Sequence, residues 1–523
     1  MKKMKKLAFA SLLVLAACMT SCSSDNDPVT NPDEPSQPDQ PAEKYTWGTD
    51  NGLKSCDHIL FSEVDNSENP DGAQIGNGDA EFVFNGKQTL KKGTYLLKGW
   101  VYIADGAELT IEPGTVIKGD KQTKASLICE RGGKLIAKGE ANAPIVFTSE
   151  EAAGSRKPGD WGGIILCGKA KNNQQEMQIE GGPRTKHGGD NDADNSGVLS
   201  YVRIEFAGYP FQTDQEINGL TLGSVGSGTQ IDHVQVSYSN DDSFEWFGGA
   251  VNCKYLVAYH GWDDDFDTDN GFSGAVQYGL SVRDAKIADK SQSNGFESDN
   301  NASGSDVSPY TCATFSNITF IGPKLQSGVQ FENTTDFITG GSMNPNNGSA
   351  LGKFQSAMQI RRSSRLNVIN SLAAGWPIGL IIDGEKGDTP AQAAAGTIRF
   401  HHNVFAGMDI LGSDANKVYE DVLYDAVGKA VIDANQPSFS STFFLQPALA
   451  NKAYDDAAAL GLTDAAQVGS PFQPSAQSPL LSGASFDGEK STWFDKVSYV
   501  GAFNATDNWL TGWTNFDPQN AKY

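Results

Sequence analysis

Five short segments with a common residue pattern recur along this chain and constrain its fold more than any other feature. Each begins with an apolar residue and places polar or charged residues at its second or fourth position; the five begin at Phe244, Phe266, Phe296, Met358 and Leu380. The steps between them are 22, 30, 62 and 22 residues. Because about 22 residues make one turn of a β-solenoid, the longer steps are turns with insertions. The pattern predicts an all-β parallel β-helix of about a dozen coils, each rising ~4.8 Å.

Short β-rich runs recur beside these segments and are bounded by turn residues. Thr314–Phe320 and Thr397–Phe405 are two such second strands, and glycine accounts for 57 of the 523 residues. Many short strands between glycine, asparagine and aspartate turns are typical of a sandwich, a barrel or a solenoid. The internal repeat favours the solenoid among these three.

Several further motifs resemble a family of bacterial cell-surface lipoproteins of the pectin-lyase-like class. The motifs are Leu109–Gly119, Lys134–Ser149, Gly159–Gly163, Tyr201–Gly208, Glu216–Leu222 and Val497–Thr514. The resemblance implies a right-handed parallel β-helix across about residues 80–520. Because that family has no settled reaction, the resemblance implies a fold and no activity.

The first residues predict export and lipid anchoring. Residues 1–21 combine four lysines with an apolar run that is too short to span a bilayer. Cys22 and Cys18 compete as the lipidated residue, and Cys22 is favoured because Ser23–Asp27 resembles the acidic export tag of Bacteroidota-type lipoproteins. Acyl chains such as palmitate would then hold the protein in the outer membrane, facing the cell exterior. Residues 22–45, rich in Pro, Asp and Glu, are predicted to form a disordered stalk.

The remaining chain is predicted to contain three parts. Residues 46–95 form an N-terminal cap with entry strands, 96–410 form the parallel β-helix, and 411–523 form C-terminal coils with a small mixed cap. Within the last part, a short helix is expected over Gln446–Ala465, ending near Gly461. Since open strand edges invite aggregation, the aromatic tail is expected to cover the last coils. Its aromatic residues are Trp493, Phe494, Phe503, Trp509 and Trp513.

Charge and cysteine content narrow the classes of partner. The chain carries 64 Asp and Glu against 40 Lys and Arg, a net charge of −24, which repels nucleic acid and anionic membranes. The five cysteines of the body lie far apart with no CxxC spacing, which argues against a zinc site and allows at most two disulfides. They are Cys56, Cys129, Cys167, Cys253 and Cys312.

Alignment of the repeats stacks carboxylates on the outward face of neighbouring coils. Since side chains alternate along a strand, the second and fourth residues of each segment point outward. The second positions are Glu245, Asp267, Glu297 and Gln359, and the fourth include Asp269, Asp299, Arg361 and Asp383. Asp265 precedes the same face, and Asp241, Asp242, Asp263 and Asp264 crowd its approach turn.

Three interpretations of this acidic face remain open. It is a solvated, salt-bridged surface, or a calcium-binding ligand face, or the catalytic face of a glycosidase. The ligand or metal face would comprise Glu245, Asp265, Asp267, Asp269, Glu297 and Asp299. The catalytic candidates are Asp267, Glu297, Asp299 and Arg361. The acidic motifs resemble those of polygalacturonase-type hydrolases, but the expected His-Gly is missing at the matching position, which puts the catalytic interpretation in doubt.

A second acidic cluster lies outside the repeats. Asp190, Asp192 and Asp194 alternate as in the opening of a calcium-binding loop, although Tyr201 at the twelfth position is no ligand. The cluster is therefore either a loop calcium site or a solvated turn.

These features predict a surface lipoprotein that binds an extracellular ligand, either a glycan or a metal-linked molecule. Location on a stalk and an extended binding face favour a role beside an outer-membrane transporter of the TonB-dependent type. Calcium is the expected cofactor, and no organic cofactor is expected. The alternatives are a polysaccharide hydrolase or lyase that uses the acidic face, and a structural or adhesive surface protein.

Overall fold

The structure is a computed structural model of the 523-residue chain. It describes residues 45–61, 71–212, 215–345, 347–414, 423–424, 430–431, 437–463 and 472–523. The predicted signal segment, the two candidate lipidation sites and nearly all of the predicted stalk lie in residues 1–44, outside the described residues. No helix in the described ranges is long and apolar enough to cross a membrane.

Two long sheets carry the coils, and each coil contributes to both. The first sheet has 13 strands among the described residues, and every neighbouring pair except the first is parallel. Its strands are Trp47–Asp50, Leu53–Cys56, Phe82–Phe84, Trp100–Ile103, Ser126–Cys129, Gly163–Cys167, Leu220–Gly223, Phe244–Phe247, Phe266–Asp269, Phe296–Ser298, Ser356–Ile360, Ile378–Ile382 and Ile410–Ser413. This stack of parallel strands makes the molecule a parallel β-helix, as the repeat predicted.

The second sheet has 17 strands in the described part and is parallel in every pairing. Its strands are Ala73–Ile75, Lys87–Leu90, Thr94–Leu97, Glu108–Ile111, Val116–Gly119, Lys134–Lys138, Ile145–Ser149, Gly197–Glu205, Gln230–Ser237, Cys253–Tyr259, Ala275–Val282, Thr314–Ile321, Asn367–Ile369, Leu372–Ala374, Phe400–His401, Val404–Ala406 and Lys452–Tyr454. Parallel pairing already begins within residues 46–95, where Ser55 pairs with Val83, so the entry strands are themselves coils.

The remaining elements are short. Three two-stranded antiparallel pairs join Met177–Gln178 to Lys186–His187, Pro210–Gln212 to Gln215–Glu216, and Leu423–Tyr424 to Ala430–Val431. The α-helices described are Thr389–Ala394 and Phe439–Phe444. The 3-10 turns are Pro323–Leu325, Gly341–Met343, Pro447–Leu449, Ala457–Leu460, Pro479–Leu481 and Pro518–Asn520.

The apolar residues that open the repeats form the core between the two sheets. Phe244, Phe266, Phe296, Met358 and Leu380 occupy one register position on successive strands, and each is 0 % exposed. Phe244 and Phe266 stack with ring centroids 5.5 Å apart. Burial of each such side chain contributes about 1.5–3 kcal/mol, so the ladder fixes the register of the strands.

A ladder of aromatic rings marks one corner of the second sheet. Tyr201, His233, Tyr255 and Tyr278 have φ between 51° and 63°, a left-handed conformation that turns each strand at the same place. Their rings stack at 4.2, 4.4 and 5.0 Å along successive coils. Trp513 packs edge-on against Tyr201 and covers this corner.

The C-terminal tail runs along the side of the second sheet. The expectation that it covers the last coils holds for Leu480 and Val500, and is wrong for Trp509 and Trp513, which pack on the earlier coils at Tyr255 and Tyr201. Hydrogen bonds tie the tail to successive coils along most of the molecule. The pairs are His402 with Gly483, Asn370 with Ser485, Asn317 with Tyr499, Gln277 with Asp495, Gln235 with Asn515, and Glu205 with Tyr523. In four of the six pairs a side-chain amide of a coil donates to a backbone carbonyl of the tail, which gives that carbonyl the partner it needs.

A helix other than the one expected lies at the end of the coils. Phe444, in helix Phe439–Phe444, stacks on Phe405 at 4.4 Å, and Asp414 accepts hydrogen bonds from the backbone of Phe439 and Ser440. The helix expected over Gln446–Ala465 is wrong as far as residue 463. That stretch contains two 3-10 turns separated by Lys452–Tyr454, which pairs with Val404–Ala406. The open strand edge there satisfies the backbone better than an isolated helix would.

Candidate functional site

A deep cleft rich in carboxylates lies on the outward face of the first sheet. It has a volume of about 660 Å³ and extends over the strands Phe244–Phe247, Phe266–Asp269 and Phe296–Ser298 and the turns that precede them. We call it the acidic cleft. Its eleven carboxylates are Glu180, Asp241, Asp242, Glu245, Asp263, Asp264, Asp267, Asp269, Asp289, Glu297 and Asp299. Its basic residues are Lys290, Arg361 and Arg362.

Strand register places the central carboxylates of the cleft in a row. Glu245 pairs with Asp267, Asp267 pairs with Glu297, and Glu297 pairs with Gln359 on adjacent parallel strands. Since neighbouring strands lie about 4.8 Å apart, each carboxylate stands one coil from the next. The stacking expected from the repeat is therefore present for Glu245, Asp267 and Glu297.

Three sets of three carboxylates bring their oxygen atoms within 4.8 Å of one another. The sets are Asp241, Asp242 and Asp263; Asp242, Glu245 and Asp267; and Asp264, Asp267 and Glu297. Asp242 and Asp267 each belong to two sets, so the three sets form one continuous line. Oxygen ligands converging in this way are what Ca²⁺ prefers.

Hydrogen bonds orient several of these carboxylates from behind. Asp242 accepts from the backbone N–H of Asp264 at 2.9 Å, and Glu245 accepts from the side-chain amide of Asn218. Asp267 differs, because its Oδ1 is out of contact with solvent and has no hydrogen-bond partner among the described residues. An enclosed carboxylate oxygen without a donor is costly unless a proton or a cation satisfies it.

Burial and mutual repulsion disfavour the ionised form of the carboxylates in the cleft. Burial raises the pKa of Asp242, Asp264 and Asp267 well above the ordinary aspartate value, and neighbouring carboxylates raise it further. The same two causes raise the pKa of Glu245 and Asp269. A bound divalent cation would reverse this effect by favouring the ionised form of every carboxylate around it.

Arginines neutralise the far end of the cleft. Arg361 donates to Asp299 at 2.8 Å and also to Glu297, while Arg362 donates to Asp299 at 2.6 Å. Asp383 lies beyond them, 2 % exposed, and burial raises its pKa to about 6. At this end the acidic face is salt-bridged, which was one of the three interpretations of its sequence.

Asp265 was expected on the acidic face, and that expectation is wrong. Its side chain is 0 % exposed and is absent from the lining of the cleft. It accepts from Arg283 at 2.8 Å and from Ser281 at 2.5 Å, and the Arg283 side chain is also 0 % exposed. Asp265 lies in the turn before strand Phe266–Asp269, where the strict alternation of a pleated strand does not hold. Asp265 is therefore part of a buried ion pair of the scaffold.

The second predicted calcium cluster, Asp190, Asp192 and Asp194, does not come together as a ligand set in the described structure. Lys171 forms an ion pair with Asp192 at 2.7 Å, and Asp194 accepts from the backbone N–H of Lys169 at 2.8 Å. None of the three belongs to a set of converging carboxylates in the described ranges. These contacts are those of a turn stabilised by its neighbours.

Two lining carboxylates were missed by sequence reasoning. Glu180 and Asp289 both reach the cleft from segments between coils, where no repeat predicts a position. No sequence signal marks either residue. Burial and the nearby charge of Asp289 raise the pKa of Asp263, and burial raises the pKa of Asp289 itself.

A family model matches more than half of this chain. The model of a family described as a pectate-lyase-like beta helix domain matches residues 83–438, which include every strand that borders the acidic cleft. No curated protein and no solved structure matches the chain.

Proposed function

The chain belongs to the pectate-lyase-like β-helix family, and from that premise we propose that the acidic cleft binds calcium and, through it, an extracellular glycan. The observation that carries this proposal is the line of three carboxylate sets that share Asp242 and Asp267. The partnerless Oδ1 of Asp267 at their junction is a second, independent observation.

Calcium fits the chemistry of this cleft better than other common cations. Ca²⁺ takes six to eight hard oxygen ligands in variable geometry, whereas Mg²⁺ demands a tight octahedron and retains its waters. A carboxylate set supplies only part of such a shell. The remaining positions would be filled by water or by hydroxyl and carboxylate oxygens of a sugar.

A glycan fits the shape and the charge of the cleft. The cleft is long and crosses several coils, as a binding site for a linear polymer must. With eleven carboxylates against three basic residues, an acidic glycan is repelled unless bound cations bridge it to the protein. Binding of an acidic glycan should therefore depend on calcium.

Retention on immobilised polysaccharides, neutral and acidic, tests this function in calcium and in chelator. We expect retention of the wild-type protein only in calcium, and loss of retention in Asp267→Asn. Glu140→Gln is the matched control, because Glu140 is an exposed acid outside the cleft. Retention that is equal in calcium and chelator would contradict a calcium-bridged site.

The cellular setting is part of the same proposal. A lipid anchor at Cys22, or at Cys18, would hold the cleft at the outer surface, where it would deliver glycan to a TonB-dependent-type transporter. Globomycin, which blocks lipoprotein signal cleavage, should make the precursor accumulate in cells. An unchanged precursor level would contradict the proposed lipid anchor. If no transporter copurifies with the protein, the proposed role beside a transporter is contradicted.

Cleavage of the bound glycan is a second candidate. It is favoured by Asp267, whose pKa burial raises, and by its neighbour Glu297, whose pKa burial also raises but whose ionised form Arg361 stabilises. One protonated and one ionised carboxylate are the parts that glycoside hydrolysis needs. Oligosaccharide release that disappears in a Glu297→Gln, Asp299→Asn double variant would establish it. Retention on the polymer without released oligosaccharides would indicate a binding protein. If neither retention nor release is observed, the structural or adhesive alternative is favoured.

A further inference from the structure

A second cavity, of opposite charge, adjoins the acidic cleft. It has a volume of about 260 Å³, and its lining includes Lys121, Lys124, Lys157, Asp160, Tyr209 and Asn347. We call it the lysine pocket. In a chain with a net charge of −24, three lysines around one small cavity are a local reversal of charge.

The single carboxylate of the lysine pocket neutralises only one of its lysines. Asp160, 1 % exposed, pairs with Lys121 at 2.7 Å and uses its other oxygen for the Lys157 backbone N–H at 2.8 Å and the Ser149 hydroxyl at 2.6 Å. Lys124 and the Lys157 ammonium have no carboxylate within ion-pair distance among the described residues. The Lys157 ammonium donates to the backbone carbonyl of Ser342, and the Lys124 ammonium lies over the Tyr209 ring, so neither charge is neutralised by a carboxylate.

An aromatic wall holds one of these lysines. The ammonium of Lys124 lies 4.5 Å from the centroid of the Tyr209 ring. Tyr209 packs against Phe211 at 5.0 Å, and Phe211 packs edge-on against Trp100 at 4.6 Å. The Tyr209 ring is half-buried, so part of its apolar surface stays accessible next to the ammonium that lies over it. Apolar faces beside a few placed polar groups are typical of small-molecule sites.

The lysine pocket and the acidic cleft share a wall. Asn347 lines both cavities, and its amide donates at 3.2 Å to Asn240, a residue of the acidic cleft. Tyr209 lines the pocket, whereas the adjacent Phe211 lines the cleft. One extended ligand can therefore lie across both cavities.

Gly159 allows Asn347 and Asn240 to pack closely against the backbone where the two cavities meet. A Cβ added at Gly159 would lie 2.6 Å from the Asn347 side-chain nitrogen and 3.2 Å from the Asn240 Cβ, and its φ of +73° also favours glycine. Any side chain at this position would displace Asn347, the residue that joins the two cavities.

We propose that the lysine pocket is an anion subsite that takes a carboxylate or sulfate group on one sugar residue of the glycan. Lys124 and Lys157 would bind the anionic group, and the Tyr209 ring would pack on the sugar. This rests on the proposed function, because the same glycan chain would continue into the calcium-loaded acidic cleft. The ligand is then a polyanionic glycan. Calcium ions in the acidic cleft would bind one part of it, and lysine ammonium groups in the lysine pocket would bind another.

The test compares the wild-type protein with a Lys124→Gln, Lys157→Gln double variant, in fixed calcium. The polymer probes are polygalacturonate for carboxylate, dextran sulfate for sulfate, and unmodified dextran as the neutral reference. Because the variant removes both ammonium groups that would bind the anionic group, we expect binding of one of the two acidic polymers to weaken about tenfold or more. Dextran binding and calcium binding should not change. Lys138→Gln, at an exposed lysine of the second sheet, is the control.

A second readout separates failure of the subsite from failure of the proposed function. The lysines are reductively methylated with ¹³C, and their NMR signals are followed on addition of galacturonate, galactose 6-sulfate or galactose. We expect the Lys124 and Lys157 signals, assigned with the single variants, to shift with an anionic sugar and not with galactose. If these NMR signals shift with an anionic sugar but no polymer binds, the anion subsite is supported and the proposed glycan function is overturned. No anion-specific shift, or equal polymer affinity in the double variant, would overturn the subsite.

Discussion

Asp267 stands in register with Glu297 of the next coil, and oxygen atoms of the two carboxylates lie within 4.8 Å of each other. Asp264 completes this set from the turn before the strand. Three carboxyl groups this close cannot all ionise in an enclosed cleft without a cation. The arrangement therefore couples the charge state of the cleft to the ion that it holds.

Calcium affinity should rise with pH, because the cation binds only ionised carboxylates. Burial raises the pKa of Asp263 to about 8, and the pKa values of Asp242, Asp264 and Asp267 are raised as well. Binding should therefore strengthen as the pH rises through about 8. Calcium titrations at about pH 6 and about pH 9 check this, and affinity that falls toward the higher pH would contradict it.

Stability without calcium should change in the opposite direction. A carboxyl whose pKa is raised on folding binds its proton more tightly in the native state, so ionisation costs stability. The loss should begin near the unfolded value of about 4 and continue as the pH rises through the raised values, to about 8 for Asp263. Thermal unfolding in chelator should show it, and added calcium should restore stability at the upper end. A melting temperature that calcium does not move there would count against the site.

Arg361→Gln should destabilise the protein in chelator by about 3 kcal/mol. The change removes the guanidinium with which both Glu297 and Asp299 form ion pairs in an enclosed position. Calcium should recover part of the loss, since a cation can replace the lost positive charge. Lys171→Gln, which breaks an ion pair of two exposed residues with Asp192, is the control and should cost clearly less. Equal losses in the two variants, measured by urea unfolding, would contradict the assignment.

Asp265→Asn should lower the stability of the fold without weakening calcium binding in the cleft. Because Asp265 and Arg283 are both 0 % exposed and paired at 2.8 Å, removing the charge should cost about 3–5 kcal/mol of unfolding free energy. Calcium binding should remain, because Asp265 does not line the acidic cleft. Asp267→Asn should show the reverse, with little loss of stability and weakened calcium binding. Loss of calcium binding in a folded Asp265→Asn protein would contradict this division.

The C-terminal tail should contribute to stability through one anchor above all. Trp513 is 0 % exposed and packs on the aromatic corner at Tyr201 and His233, so Trp513→Ala should cost about 3–5 kcal/mol. Trp493→Ala is the matched control, because Trp493 is only half-buried and should cost clearly less. Chemical unfolding of the two variants measures the difference, and an unchanged free energy of unfolding in Trp513→Ala would contradict the role of Trp513 as an anchor.

The regular part of the site could be predicted from the sequence, because one repeat carries it. The 22-residue step from Phe244 to Phe266 sets the register, and the register puts Glu245, Asp267 and Glu297 in one row. The burial of the apolar first residues could also be predicted, because a row of apolar side chains at one register position determines which face of each strand points into the core.

The turns and insertions could not be predicted in this way. Asp265 precedes the strand, and its burial depends on Arg283, a partner that only the fold brings near. Glu180 and Asp289 come from segments without a repeat, and the lysine pocket joins Lys121 and Lys157 from neighbouring coils. The helix expected over Gln446–Ala465 gave way to a strand because the last coil offered a free edge.

Isothermal titration of the purified protein with calcium chloride tests the central claim most directly. The wild-type protein and Glu140→Gln should show the same saturable binding, and Asp267→Asn should bind at least about tenfold more weakly. This result would place the cation at the junction of the carboxylate sets. Absence of saturable binding in the wild-type protein, or equal affinity in Asp267→Asn, would contradict the account.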